Sequence, residues 1–121
     1  MLKHRQIFIY GASIGGDEVY GTFTANFAKK RAKYKVKVNA LIGKKVPEHM
    51  LERDVKRFTE IRTTPHLENH PVAYFIYGDE MLILTVKAPL IAIHIKSATI
   101  IESQKRLFEI LWKTAKKFSL P

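Results

Sequence analysis

A histidine and a lysine two residues apart on a β-strand project from the same face, the first placed to attack phosphorus and the second to neutralise phosphate oxygens. A carboxylate five residues beyond the lysine, in the following turn, completes a phosphodiester-cleaving set. The stretch VAYFIYGD, residues 72–79, has this spacing but fills it with Val72, Tyr74 and Asp79. An isopropyl group cannot attack phosphorus, and a phenol carries no fixed positive charge. The match is weak by itself, because Gly-Asp after an aromatic strand is also an ordinary hairpin turn. No catalytic residue is therefore assigned, and no enzymatic activity is expected.

Other polar residues are weighed in the same way. Ser13 in GASIGGD follows a strand and precedes a helical pattern, where α/β folds hold ligands and helix amides attract anions. The glycines there match neither GxGxxG nor a P-loop, so a nucleotide cofactor is not indicated and a flexible turn is at least as good a reading. Arg62 falls in a short strand expected to be central, where an unpaired charge is costly. An ion pair between Arg62 and Asp79 is the simplest way to satisfy both. Ser13, Arg62, Tyr74 and Asp79 are the candidate ligand-binding residues. Of the five histidines, His66 and His70 lie four apart but are flanked by Pro65 and Pro71, which argues against a helix aligning both on a metal. They are read as solvated loop residues, and neither a metal nor another cofactor is assigned.

Composition narrows the classes further. The chain has 121 residues, room for one domain with one core and no internal linker, so residues 1–121 are taken as a single domain. Cysteine is absent, which removes disulfides and thiolate chemistry and fits a reducing cytoplasm. The apolar runs LILTV and LIAIHI are strand-sized, far below the roughly 18 residues of a membrane helix. The formal charge of +10 raises the prospect of an anionic partner. Lys29, Lys30, Arg31, Lys33, Lys35, Lys37, Lys44 and Lys45 form a basic block, read as a solvated face for want of interleaved stacking aromatics.

These residues require a scaffold. QIFIYGA alternates as a strand, and Asp17 caps a helical pattern with Val19, Tyr20, Phe23 and Phe27 on one face. Lys35 to Ile42 alternates strictly as a second strand. Pro47 opens a second, shorter helix with Met50, Leu51, Val55 and Phe58, and EIRTT makes a third strand. VAYFIY, MLILTV and LIAIHI form a meander joined by tight turns. The last helix, TIIESQKRLFEILWKTAKKF, starts at a capping box of Thr99 and Glu102. Its apolar stripe runs through Ile100, Ile101, Gln104, Leu107, Phe108, Leu111, Trp112, Ala115 and Phe118. The fold class expected is α/β, a mixed sheet of about six strands flanked by helices, with strand order undetermined. The aromatics of the helices, Trp112 included, are expected in the core.

Along nearly all of residues 5–117 this order resembles the effector half of TrmB-like archaeal and bacterial transcriptional regulators. The resemblance is carried by IFIYGAS, KKRAKYKVKVNALI, EIRTTP, FIYGDEMLIL and, most specifically, LIAIHIKSATIIESQKRLFEILWKTAK. It implies a phospholipase D-like fold that has lost its catalytic motif. It further implies a non-enzymatic ligand-sensing or dimerisation domain, a homodimer, a small-molecule effector, and contact with DNA only through a winged-helix domain outside this chain. No membrane association is expected. The rival readings are a small basic DNA- or RNA-binding protein and a divergent phosphodiesterase or nuclease with substitutes for the missing histidine and lysine.

Overall fold

The computed structural model describes residues 6–12, 29–30, 33–43 and 57–118. In chain order their elements are β1 (Gln6–Gly11), β2 (Lys37–Ile42), β3 (Thr59–Thr63), a 3-10 turn at Pro65–Leu67, β4 (Val72–Tyr77), β5 (Glu80–Thr85), β6 (Ala92–Lys96), α1 (Ala98–Thr114) and β7 (Lys116–Lys117). The helices expected from Asp17 and from Pro47 lie outside the described residues, apart from helical backbone at Lys29, Lys30 and Lys33.

The strands make one sheet of seven, in the order β6-β5-β4-β1-β2-β3-β7. β1, β2 and β3 run parallel, as βαβ spacing demands. β4 joins the other edge of β1 antiparallel, and β4, β5 and β6 form the expected meander. The sheet is mixed, with one strand more than the sequence pattern suggests. The addition is β7. The helical stripe continues through AKKF in the sequence, yet α1 stops at Thr114 and Ala115 turns to extended backbone at ψ 153°. Lys116 and Lys117 then pair with Thr63 and Arg62, and the Phe118 amide donates to the Ile61 carbonyl at 2.9 Å. The outer edge of β3 would otherwise present unpaired amides and carbonyls, and Phe118 packs on the core cluster of that sheet face.

Period-2 alternation sends each strand's residues to two cores. On one face Ile7, Val38, Ala40, Ile61, Ala73 and Phe75 are buried together. On the other, Tyr10, Leu41, Ile76 and Met81 meet Ile101 and Phe108 of α1. Phe108, 2% exposed, is the largest fully buried side chain of this second cluster.

The start of α1 differs from the Thr99–Glu102 capping box. Ser97 is the N-cap, its Oγ accepting from the Ile100 amide at 3.2 Å, so Thr99 lies inside the first turn. Glu102 instead accepts from Arg106 Nη2 at 2.9 Å, an exposed pair one turn on. Serine is the better cap because its short hydroxyl reaches the free amides of the first turn. The expected result of chemical denaturation is that Ser97→Ala costs about 1 kcal/mol, whereas Thr99→Ala stays within about 0.5 kcal/mol of the parent.

Candidate functional site

The two aromatic residues that open the site are set by register. Tyr10 of β1 stands directly opposite Tyr74 of β4, and the rings stack at 4.6 Å with 14° between planes. Phe108 descends from α1 onto Tyr10, with ring centres 5.5 Å apart. Past this contact α1 and the sheet diverge, leaving an open apolar groove of about 560 Å³. Met81 and Ile83 of β5 and Ile95 of β6 form its floor; Ile100, Leu107 and Ile110 of α1 form its outer wall. Leu107 and Ile110 are more than half exposed and Ile100 nearly so, and Ile100 and Leu107 are thus less covered than their place on the helical stripe suggests.

Four polar side chains line the groove: Tyr10, His70, Tyr74 and Gln104. The Tyr10 hydroxyl donates to Gln104 Oε1 at 3.1 Å, which explains a glutamine within an otherwise apolar helical stripe. Burial, and secondarily the neighbouring Tyr74, pushes the Tyr10 phenol up to about 12. His70 is half buried, its ring 5.9 Å from that of Tyr74, and its Nε2 is shielded from water with no hydrogen-bond partner among the described residues. It is not the solvated loop histidine expected, whereas His66 is exposed as anticipated. Gly11, at φ +99°, allows this crowding. A Cβ there would collide with the Val72 carbonyl oxygen and stand 3.1 Å from the Tyr74 ring and 3.3 Å from His70.

The four candidate residues of the sequence are not assembled at one place. Ser13 lies outside the described residues. Tyr74 lines the groove, and Val72 follows on the same face of β4 at its far end. Asp79 is exposed in the β4–β5 turn at the opposite end of that strand, where its carbonyl accepts from the Ser97 amide at 3.0 Å. Arg62 sits on β3, three strands from β4 and next to the β7 edge, roughly 14 Å away at the usual strand spacing. The expected Arg62–Asp79 ion pair does not form. Arg62 Nε donates to Glu60 Oε2 at 3.1 Å, Nη1 donates to the Trp112 carbonyl at 2.8 Å, and the guanidinium lies 4.3 Å above the Trp112 ring. A charge on a half-buried strand needed partners, as the sequence argument held, and the helix end supplied them. Glu60 shares β3 with Arg62 on the same face, so strand periodicity pointed to it.

Chemically, the groove offers apolar surface with a few hydrogen-bonding groups at one end, the His70 imidazole among them, and no lysine, arginine or carboxylate lines it among the described residues. Among the described residues no group of three or more His, Asp or Glu side chains is placed to hold a metal ion, and no helix is long and apolar enough to cross a membrane.

No protein-family model matches the chain, and no curated protein matches it significantly. Its backbone, however, superposes on TrmBL2, described as an archaeal chromatin protein that shows a novel mode of DNA binding. The fold is shared. The TM-score is 0.66 at 13% sequence identity, covering 95% of this chain and 45% of TrmBL2. The chain thus spans less than half the length of TrmBL2, and the likeness is one of backbone architecture.

Two outcomes check this geometry. In a double-mutant cycle monitored by chemical unfolding, Arg62→Ala and Trp112→Leu couple by about 1 kcal/mol through the cation–π contact, while Arg62→Ala and Asp79→Ala are additive. In an ultraviolet titration Tyr10 stays protonated beyond pH 10, as does Tyr77, whose pKa is also raised by burial and then by Glu80. Because the folded-state value of Tyr10 exceeds the unfolded one, its contribution to stability is complete below pH 10 and declines as pH rises toward 12. Tyr10→Phe removes that share of the alkaline decline.

Proposed function

We propose that this chain is a non-enzymatic effector domain of a TrmB-like transcriptional regulator, built on a phospholipase D-like fold whose catalytic motif is degenerate. The observation that carries the reading is the position of Tyr74. The residue standing where the phosphate-binding lysine would belong is the wall of an apolar groove, stacked on Tyr10, and no cation lines that groove among the described residues. The sequence resemblance and the backbone shared with TrmBL2, a chromatin protein that binds DNA, support the same assignment.

A groove of this volume suits a small molecule with an aliphatic or aromatic body and one hydrogen-bonding group. That group would meet the end of the groove where His70 and Tyr74 stand. Ile100, Leu107 and Ile110 both wall the groove and form an exposed apolar stripe on α1. A second copy of the chain is the occupant we assign to that stripe, because the same side chains would then couple ligand to dimer geometry. Sensing would follow from a ligand that favours one dimer arrangement over another, in a cytoplasmic setting.

The test uses octanoate as the probe, followed by thermal unfolding. Octanoate is expected to raise Tm in the parent and to leave Ile83→Trp, in which the indole fills the groove, unchanged. Equal shifts in both would remove the groove from the function. A chromogenic phosphodiester is expected to show no turnover above buffer with or without divalent metals, and activity lost on Asp79→Ala would overturn the non-enzymatic reading. In sedimentation equilibrium the parent is expected at twice its 14.0 kDa chain mass. Leu107→Glu with Ile110→Glu should be monomeric, since two charges would have to be desolvated at the contact.

A further inference from the structure

The positive charge of this chain is segregated rather than dispersed. Between Val19 and Pro47 lie eight of the 21 basic residues and none of the 11 acidic ones; elsewhere thirteen basic residues are nearly balanced by those eleven. A solvated, lysine-rich surface would intersperse the two signs, so almost all of the excess belongs to one segment.

The fold brings the described part of that segment to one corner of the sheet. Lys29, Lys30 and Lys33 are on exposed helical backbone, and the Tyr34 amide donates to the Lys30 carbonyl at 3.2 Å to end the turn. Lys35 takes a left-handed conformation at φ 58°, which redirects the chain into β2. Val36 and Val38 are each 1% exposed and anchor the backbone, leaving Lys35 and Lys37 in solvent on either side of Val36. Arg57 is exposed beside them, because the Val38 amide donates to the Phe58 carbonyl at 2.8 Å and Val38 is in register with Thr59. None of these six cations pairs with an acidic side chain among the described residues. Like charges this close, without counter-charges, repel one another within the roughly 10 Å Debye length of ordinary buffers. A polyanion relieves that repulsion and releases its own condensed counterions.

We propose that this corner, formed by Lys29, Lys30, Lys33, Lys35, Lys37 and Arg57, binds the phosphate backbone of duplex nucleic acid directly. The surface is distinct from the groove and does not depend on the effector reading. Its chemistry is that of backbone contact without base reading. The cations stand on flexible stems around fixed backbone, and Tyr34, 52% exposed, is the single large apolar side chain exposed among the described residues of this corner, too few for a stacking platform.

The test is fluorescence anisotropy of the 121-residue chain with labelled 24-base-pair duplexes of two unrelated sequences, titrated across sodium chloride concentrations. Both duplexes should bind with equal affinity and with a log–log salt slope of about −3.6 to −4.5, corresponding to four or five neutralised phosphates. DNA and RNA versions of the duplex show which of the two carries the preferred backbone. Lys35→Gln with Lys37→Gln should lower affinity by about tenfold and flatten the slope by about two units. Lys116→Gln with Lys117→Gln, the same charge change on β7, should alter affinity by less than twofold, with circular dichroism showing both variants folded. Equal weakening by the two pairs would reduce the effect to net charge and overturn the proposal. So would absence of duplex binding at low salt, tighter binding of the single strand than of either duplex, or binding of phosphatidylserine vesicles in place of duplex.

Discussion

Strand β1 is hydrogen-bonded in opposite senses on its two edges, and the architecture depends on that junction. On one side it pairs in parallel with β2, on the other antiparallel with β4. Parallel pairing needs a long crossover and antiparallel pairing admits hairpins, so the parallel strands β1 to β3 and the meander β4 to β6 are joined here, while β7 closes the far edge of β3. The strand is correspondingly buried, with Ile7 inaccessible and Ile9 and Tyr10 nearly so. At its end Gly11 lets the Val72 carbonyl approach at a distance that no Cβ would permit, and the Ala12 amide closes the ladder on that same carbonyl at 2.9 Å. The stacking of Tyr10 on Tyr74 is a consequence of this register. A slip of one residue would send the two rings to opposite faces.

The groove follows from how α1 is moored. Its first turn is tied to the β4–β5 hairpin by the Ser97 amide on the Asp79 carbonyl, and Lys105 Nζ reaches the Gly78 carbonyl at 3.0 Å. Its middle is held by Phe108 against Phe8 and Tyr10 of β1. Its end is held by Arg62, through the Trp112 carbonyl and ring. The helix therefore crosses toward β3, and β6 at the other edge receives little cover, with Ile93 47% exposed. A straight helix cannot shield a sheet of seven strands, and the uncovered wedge is the cavity. Polar groups are tolerated in it because the Tyr10 hydroxyl and Gln104 satisfy one another.

Tyr74 borders the groove from β4, and Val72 on the same face of that strand adds further apolar bulk. Such a surface is more readily buried against a ligand or a second chain than hydrated. The basic corner is at the start of β2 and none of its six cations lines the groove, so the apolar groove and the cationic surface are separate.

Local pattern and backbone stereochemistry were enough to determine much of this protein. Alternation in IFIY, KVNALI and VAYFIY, the tight GDE turn and the 3.6-residue stripe of FEILW give the strands, the meander and the helix, because each signal is contained within a few residues. The absence of a nucleophile at Val72 and of a cation at Tyr74 was equally legible. What only the tertiary structure decided depends on partners distant in sequence. Arg62 turns to Glu60 and Trp112 rather than Asp79 because β3 lies near the sheet edge, a matter of strand order that periodicity does not encode. Lys116 and Lys117 become a strand because β3 has an open edge to satisfy, overriding good helical propensity. His70 is drawn in beside Tyr74 although its loop is polar, and Ile100 and Leu107 stay about half in solvent although their stripe is apolar. A sequence pattern shows which face of an element is apolar; how much of that face is covered is set by the angle at which another element crosses it.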